Sequence, residues 1–356
     1  MESSHRTPFH PPERSASLQS LIRHKLPELV ELERLLAEFN SQITHRVLGN
    51  VTYQEHSLPI YAIDLGTHDA NKPRLLICGG VHGVERIGTH VVLALCRVWF
   101  RRMQWEKSLL ECFRQISVTF IPIVNPVGML LGRRSNGNGV DLMRNAPIDA
   151  EDAPFMVSGQ RISSWLPWYR GKNNEFELEN KLIENEVQRL TQETPLLLSL
   201  DCHSGYGVSD RIWFPYAYRR RPMNDIAPVV ALKLLWESSY PNHRYVFEPQ
   251  SNNYLTHGDI WDYFYKKYGR NRALFLPLTL EMGSWNWVRK RPLQLLKFEG
   301  LFNPLVPHRQ QRTLRRHLPL MDFLRHAVNS FENWVPNPDE KRSLTQMAHS
   351  LWYKDI

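Results

Sequence analysis

The stretch RLLICGGVHGVER, residues 74–86, decides how this chain is read. Arg74–Cys78 (RLLIC) is a short, nearly continuous apolar run. A strand exposed on one face would alternate apolar and polar residues, so this one reads as buried on both faces. Glycines at 79, 80 and 83 follow it, giving a backbone that turns tightly and lets a ligand come close. His82 and Glu85 stand three apart just past the strand end, where an open α/β sheet places its ligand sites. Imidazole nitrogen and carboxylate oxygen both suit zinc, and a catalytic zinc takes three protein ligands and keeps one position for water. A third ligand is therefore needed from elsewhere.

Outward from this stretch the pattern repeats. Glu85–Met103 reads as a helix with an apolar face, Ser117–Val124 as a strand, Glu175–Glu193 as an amphipathic helix and Pro195–Cys202 as another buried strand. Asp225–Ser238 and Asp259–Tyr268 read as helices, Tyr245–Phe247 as a strand and Ala273–Glu281 as a last buried strand. Toward the N-terminus, Leu18–Phe39 has helical spacing broken at Pro27, and Ile43–Tyr53 with Pro59–Leu65 reads as a strand pair. Asn173 or Asn174 is placed to cap the helix that follows. The fold class expected is α/β, with a mixed, mostly parallel central sheet and helices on both faces. Pro126–Lys172 lacks periodicity and is rich in Gly, Asn, Pro and Arg; a loop of that length in a domain is usually functional or disordered. The organisation expected is a disordered leader at 1–16, a helical and strand segment at 17–66, a core at 67–290 and a basic helical extension at 291–356.

The 356 residues are 42% hydrophobic, ample for a core, which excludes a disordered or collagen-like chain. The net charge of +8 suits a basic soluble enzyme. Between residues 289 and 325 nine Lys/Arg face two acids, which reads as a solvated helical face bearing on acidic substrates if it borders a cleft. With few aromatics and no motif there, nucleic acid is not an expected partner. Cys78, Cys96, Cys112 and Cys202 form no CxxC pair and read as buried free thiols of a reducing compartment. No apolar stretch approaches the ~20 residues that span a bilayer, and the N-terminus lacks the apolar centre of a signal peptide. The cytoplasm is the expected location.

Two further strand ends complete the constellation. His203 follows the buried run directly in LLLSLDCHSGYG, and Glu281 ends LFLPLTLE, where a carboxylate is costly unless used or paired. A His-x-x-Glu pair, a histidine 118 residues after Glu85, and a Glu on a late strand together resemble the zinc carboxypeptidase (funnelin) family, in its bacterial-type branch. NPVGMLLGRRSNGNGVDLMRN, residues 125–145, is similar to that family's NP-x-G…R-x-N…VDLNRN block.

The resemblance implies one Zn2+ held by His82, Glu85 and His203, with Glu281 as general base. It implies that Asp141 hydrogen-bonds His82, that Arg134 or its neighbour Arg133 stabilises the oxyanion, and that Arg144 and Asn145 bind the substrate's terminal carboxylate. Tyr254 is the candidate for the family's catalytic tyrosine, and Tyr206 for a pocket wall. Met143 departs from the pattern, standing where the family carries Asn and removing an amide donor from the carboxylate clamp. Val84 occupies a position where some members carry a substrate-binding Arg. The activity implied is release of a C-terminal residue from a peptide. An N-acyl amino acid deacylase or cell-wall peptide amidase is the alternative on the same site. A non-enzymatic module that keeps the metal and binds anions through its basic C-terminus is the reading from another class.

Overall fold

The computed structural model describes residues 9–172, 175–269 and 273–354. Pro27, which lacks an N–H and fits the first turn of a helix, divides the opening helical stretch into α1 (Ala16–Lys25) and α2 (Pro27–Glu38). Of the segment expected as a leader, the described part is anchored: Phe9 sets its ring edge-on to His45, and Arg14 forms a two-pronged ion pair with Glu33 of α2. β1 (Thr44–Tyr53) and β2 (His56–Gly66) follow as an antiparallel pair, bulged between Val47 and Gly49.

The core alternates strand and helix: β3 (Arg74–Gly79), α3 (Arg86–Arg102), α4 (Lys107–Gln115), β4 (Ser117–Ile121), α5 (Pro126–Leu131), α6 (Leu178–Thr191) and β5 (Leu196–Ser204). Then come β6 (Arg211–Phe214), α7 (Ile226–Ser239), β7 (Val246–Pro249), α8 (Ile260–Tyr268), β8 (Leu274–Met282) and α9 (Trp285–Lys290), with α10 (Pro307–Asn329) and α11 (Pro338–Trp352) at the end. The strands form one sheet in the order β1-β2-β4-β3-β5-β8-β6-β7. Pairs β3/β4, β3/β5, β5/β8 and β6/β7 are parallel and the other three antiparallel, so the sheet is mixed and mostly parallel. Every residue of β3 and β5 is buried, which requires cover on both faces. α3 and α10 pack near β3 and each other, while α6 and α8 pack together against β5 and β8.

Several elements differ from the sequence reading. The stretch expected to be loop from Pro126 opens with α5, whose N-cap Asn125 accepts a hydrogen bond from Gly128 N and whose Pro126 takes the first helical position. The helix expected from Glu175 starts at Leu178 with Glu177 as N-cap; Asn173 and Asn174 lie outside the described residues. α4 and β6 were not foreseen: β6 has only four residues, RIWF, too few to show alternation. Among the described residues no helix is long and apolar enough to cross a membrane, and all four cysteines are free and buried.

Candidate metal centre

From β3 the chain crosses to β4 on one side, whereas the connections after β5 lead to the other side through β6 and β8. The C-terminal ends of β3 and β5 therefore flank a topological switch point, the place where such sheets open a crevice. Glycines bring the two sides together. A Cβ on Gly83 would lie 2.0 Å from the backbone of Gly128, and one on Gly88 would lie 2.1 Å from Cys202 O. Without side chains there, the loop after β3 closes on α5, and the start of α3 closes on the end of β5.

His82 and Glu85 from that loop and His203 from β5 converge, all buried. His82 Nδ1 is 2.9 Å from Glu85 Oε1 and 3.2 Å from His203 Nδ1, and His203 Nδ1 is 3.2 Å from Glu85 Oε2. Ligands ~2.0–2.1 Å from a tetrahedral zinc are separated by about 3.3 Å, so the donor set and its spacing fit that ion. The opposite ring nitrogens are held by carboxylates: His82 Nε2 lies 3.0 Å from Asp141 Oδ1, and His203 Nε2 lies 2.7 Å from Asp201 Oδ2. This orients both rings with Nδ1 inward. Asp201 escaped the sequence reading, although two residues apart on one strand places it on the face of His203.

Asp141 is the hub of the opposite wall. Its Oδ2 accepts from Arg134 Nε and from Arg144 Nη1, both at 2.9 Å. Burial favours its neutral form, but these guanidinium groups outweigh burial and hold its carboxyl well below the usual range. Arg134 also donates from Nη1 to Glu85 Oε1 at 2.7 Å. Arg133 lines the same pocket but is exposed. Arg144 is buried in the pocket wall, with its Nε left without a hydrogen-bond partner.

Asn145 corrects the sequence reading. Its Nδ2 donates to Arg170 O and Glu175 O, and its Oδ1 accepts from Glu177 N and Asn180 Nδ2, so its amide is consumed in fastening the loop to α6. It takes no part in the pocket lining.

Glu281 pairs in register with His203 across β5 and β8, so both side chains emerge on one face. Burial and the nearby Glu85 carboxylate push its carboxyl upward, and Oε1 accepts from Tyr206 N at 2.9 Å. Tyr206, Tyr254 and Trp213 form a ring cluster in the pocket wall, with centroids 5.3–5.8 Å apart. Asp259, read only as the start of a helix, also lines the pocket while capping α8 through Asp262 N. Met143 lines it too. His257 accepts from Ala150 N and lies outside the lining, and Val84 is buried with its carbonyl bonded to Asn303. The pocket encloses about 760 Å³, within the ~300–1,000 Å³ of small-molecule sites.

The C-terminal segment braces this centre. Asn303 donates to Val84 O and accepts from Ile87 N on either side of Glu85, while Ser204 Oγ donates to Phe302 O next to His203. No feature of the isolated sequence around Asn303 announces this role.

A family model described as zinc carboxypeptidase matches residues 29–292. Carboxypeptidase D of Mus musculus is 20% identical over 336 residues, covering 86% of this chain and 22% of that protein. Carboxypeptidase A1 of Homo sapiens is 26% identical over 221 residues, covering 57% of this chain and 48% of that protein. The chain thus matches about a fifth of the first relative's length and about half of the second's. The crystal structure of thrombin activatable fibrinolysis inhibitor has a TM-score of 0.64 at 19% identity, covering 88% of this chain and 80% of that one. The carboxypeptidase A from Helicoverpa armigera gives 0.64 at 19% identity, covering 86% and 74%. At these identities the structural likeness is one of fold. The family model spans most of the chain and both stretches that carry the ligand trio: the chain belongs to the zinc carboxypeptidase family.

Proposed function

We propose that the protein is a metallocarboxypeptidase that hydrolyses the last amide bond of a peptide. One observation carries the reading: a single pocket holds the His82–Glu85–His203 donors, the buried Glu281 carboxylate and the Arg144 guanidinium. His82, Glu85 and His203 would hold a zinc ion there, which would supply Lewis acidity to a water and to the scissile carbonyl.

The residues around it divide the remaining work. Arg144, fixed by Asp141 through Nη1, lines the pocket and offers its guanidinium to a terminal carboxylate, a group such a side chain binds through parallel donors. Met143 adds no side-chain amide to that clamp. Glu281, buried in the same pocket and in register with His203, takes the proton of the attacking water and delivers it to the leaving amine. Arg134, anchored on Asp141, points its guanidinium toward Glu85 and can shift a donor to the developing oxyanion. Tyr254 and Tyr206 wall the substrate. The four buried free thiols support a reducing compartment such as the cytoplasm.

The test is Glu281→Gln on zinc-loaded protein. Turnover of N-blocked dipeptides should fall by roughly 100- to 10,000-fold, with zinc content unchanged. Survival of activity would remove Glu281 from the role.

A further inference from the structure

The pocket changes character from its interior to its mouth. Inside are the metal donors, Glu281, Asp259 and Thr256; at the mouth Val157, Trp165 and Leu166 on one side of the sequence and Phe298 on the other line the same cavity. These mouth side chains are open to solvent, Trp165 at 95% and Phe298 at 58%. Large apolar side chains left exposed around one cavity that holds polar chemistry point to a binding surface rather than a chance distribution.

Both walls are built rather than loose. Buried Gln160 ties the first together: its Nε2 donates to Ser163 O, Leu166 O and Pro167 O, and its Oε1 accepts from Ile162 N and Ser163 N. Trp165 is thus presented on a rigid turn. In the second wall Phe298 sets its ring edge-on to Phe302 at 5.4 Å, and Phe302 is fastened to the strand end beside His203.

A carboxypeptidase takes the chain terminus inward, so the part of the peptide that emerges past the mouth is the part upstream of the bond cut. We propose that Trp165, Leu166, Val157 and Phe298 form a subsite for large apolar side chains immediately upstream of the scissile bond, so that the enzyme selects peptides with aromatic or aliphatic residues there. This rests on the carboxypeptidase reading of the same pocket.

Binding is read apart from turnover on zinc-loaded Glu281→Gln protein. Two N-blocked tripeptides with one shared C-terminal residue, carrying Phe-Phe or Gly-Gly upstream, are titrated calorimetrically beside an N-palmitoyl amino acid with the same terminus. The Phe-Phe peptide should bind about tenfold or more tightly than the Gly-Gly peptide. Trp165→Ser and Phe298→Ser should each collapse that ratio, whereas Leu296→Ser, at an exposed leucine outside the cavity, should keep it. Equal binding of the two peptides overturns the subsite, as does collapse of the ratio in Leu296→Ser. A preference for the palmitoyl ligand over Phe-Phe overturns it in favour of a fatty-acyl site. If the rim variants keep the ratio but lose pelleting with vesicles of two parts phosphatidylcholine to one part phosphatidylserine, the rim is a lipid-docking face and the subsite falls. Wild-type hydrolysis of the Gly-Gly peptide, measured separately, tests the carboxypeptidase reading alone.

Discussion

The floor of the pocket and its walls are made in different ways. The floor is built from strand ends: His203 and Glu281 are register partners on β5 and β8, and His82 and Glu85 leave β3 by a glycine turn. Beside the Tyr206, Tyr254 and Trp213 cluster, the walls come from the irregular chain between α5 and α6 and from the segment after α9, held by side-chain to backbone hydrogen bonds such as those of Gln160, Arg170 and Asn303. Regular elements place catalytic atoms with little freedom, because the ladder on both sides fixes each strand. Irregular segments need buried polar side chains as internal ties, and they are the regions where substrate contacts vary.

Perturbing the groups that link the two regions sharpens this contrast. Arg134 belongs to the wall but contacts the floor through Glu85, so Arg134→Ala should cost ~100- to 1000-fold in kcat/KM. Arg134→Lys keeps a charge but loses the two-sided geometry, and should recover only part of that loss. If kcat/KM for an N-blocked dipeptide were unchanged in Arg134→Ala, the floor would act alone.

A smaller effect is expected one layer below the floor. Asp201 holds His203 Nε2 and also accepts from Trp261 Nε1. Asp201→Asn should weaken zinc affinity by ~10- to 100-fold, read by competition with a fluorescent chelator. Unchanged affinity would mean that the strand alone orients the ring. The smallest effect belongs to the wall: Met143→Asn should lower KM for a peptide with a free terminal carboxylate by about 3- to 10-fold, the net worth of one added hydrogen bond of ordinary strength, and leave the C-terminally amidated peptide untouched. Equal changes for both would show that Met143 does not face the terminus.

The same contrast explains what could be read in the sequence. β3, β5 and β8 are buried on both faces, so their apolar runs stand out, and the residues that break those runs, His203 and Glu281, draw attention as polar groups at the rim of a core. Asp141 and the two arginines could be placed through the NPVGMLLGRRSNGNGVDLMRN block, but their shared dependence on one carboxylate emerges only in three dimensions. Asn145, taken for a substrate ligand by its neighbourhood, turns inward, because the carbonyls and amides of an irregular loop must be paired once buried. Asn303 and Gln160 perform similar tasks from positions without periodicity or motif, so composition and spacing hold no signal for them.

The claim beneath all of this is that three side chains on two strand ends share one metal ion. Elemental analysis of the purified protein, beside His82→Ala, Glu85→Ala and His203→Ala, tests it directly. The parent should carry one zinc per chain, and each variant should lose stoichiometric zinc with the fold retained by circular dichroism. A parent that takes up no zinc, or variants that all retain it in full, would show that His82, Glu85 and His203 do not share a metal ion.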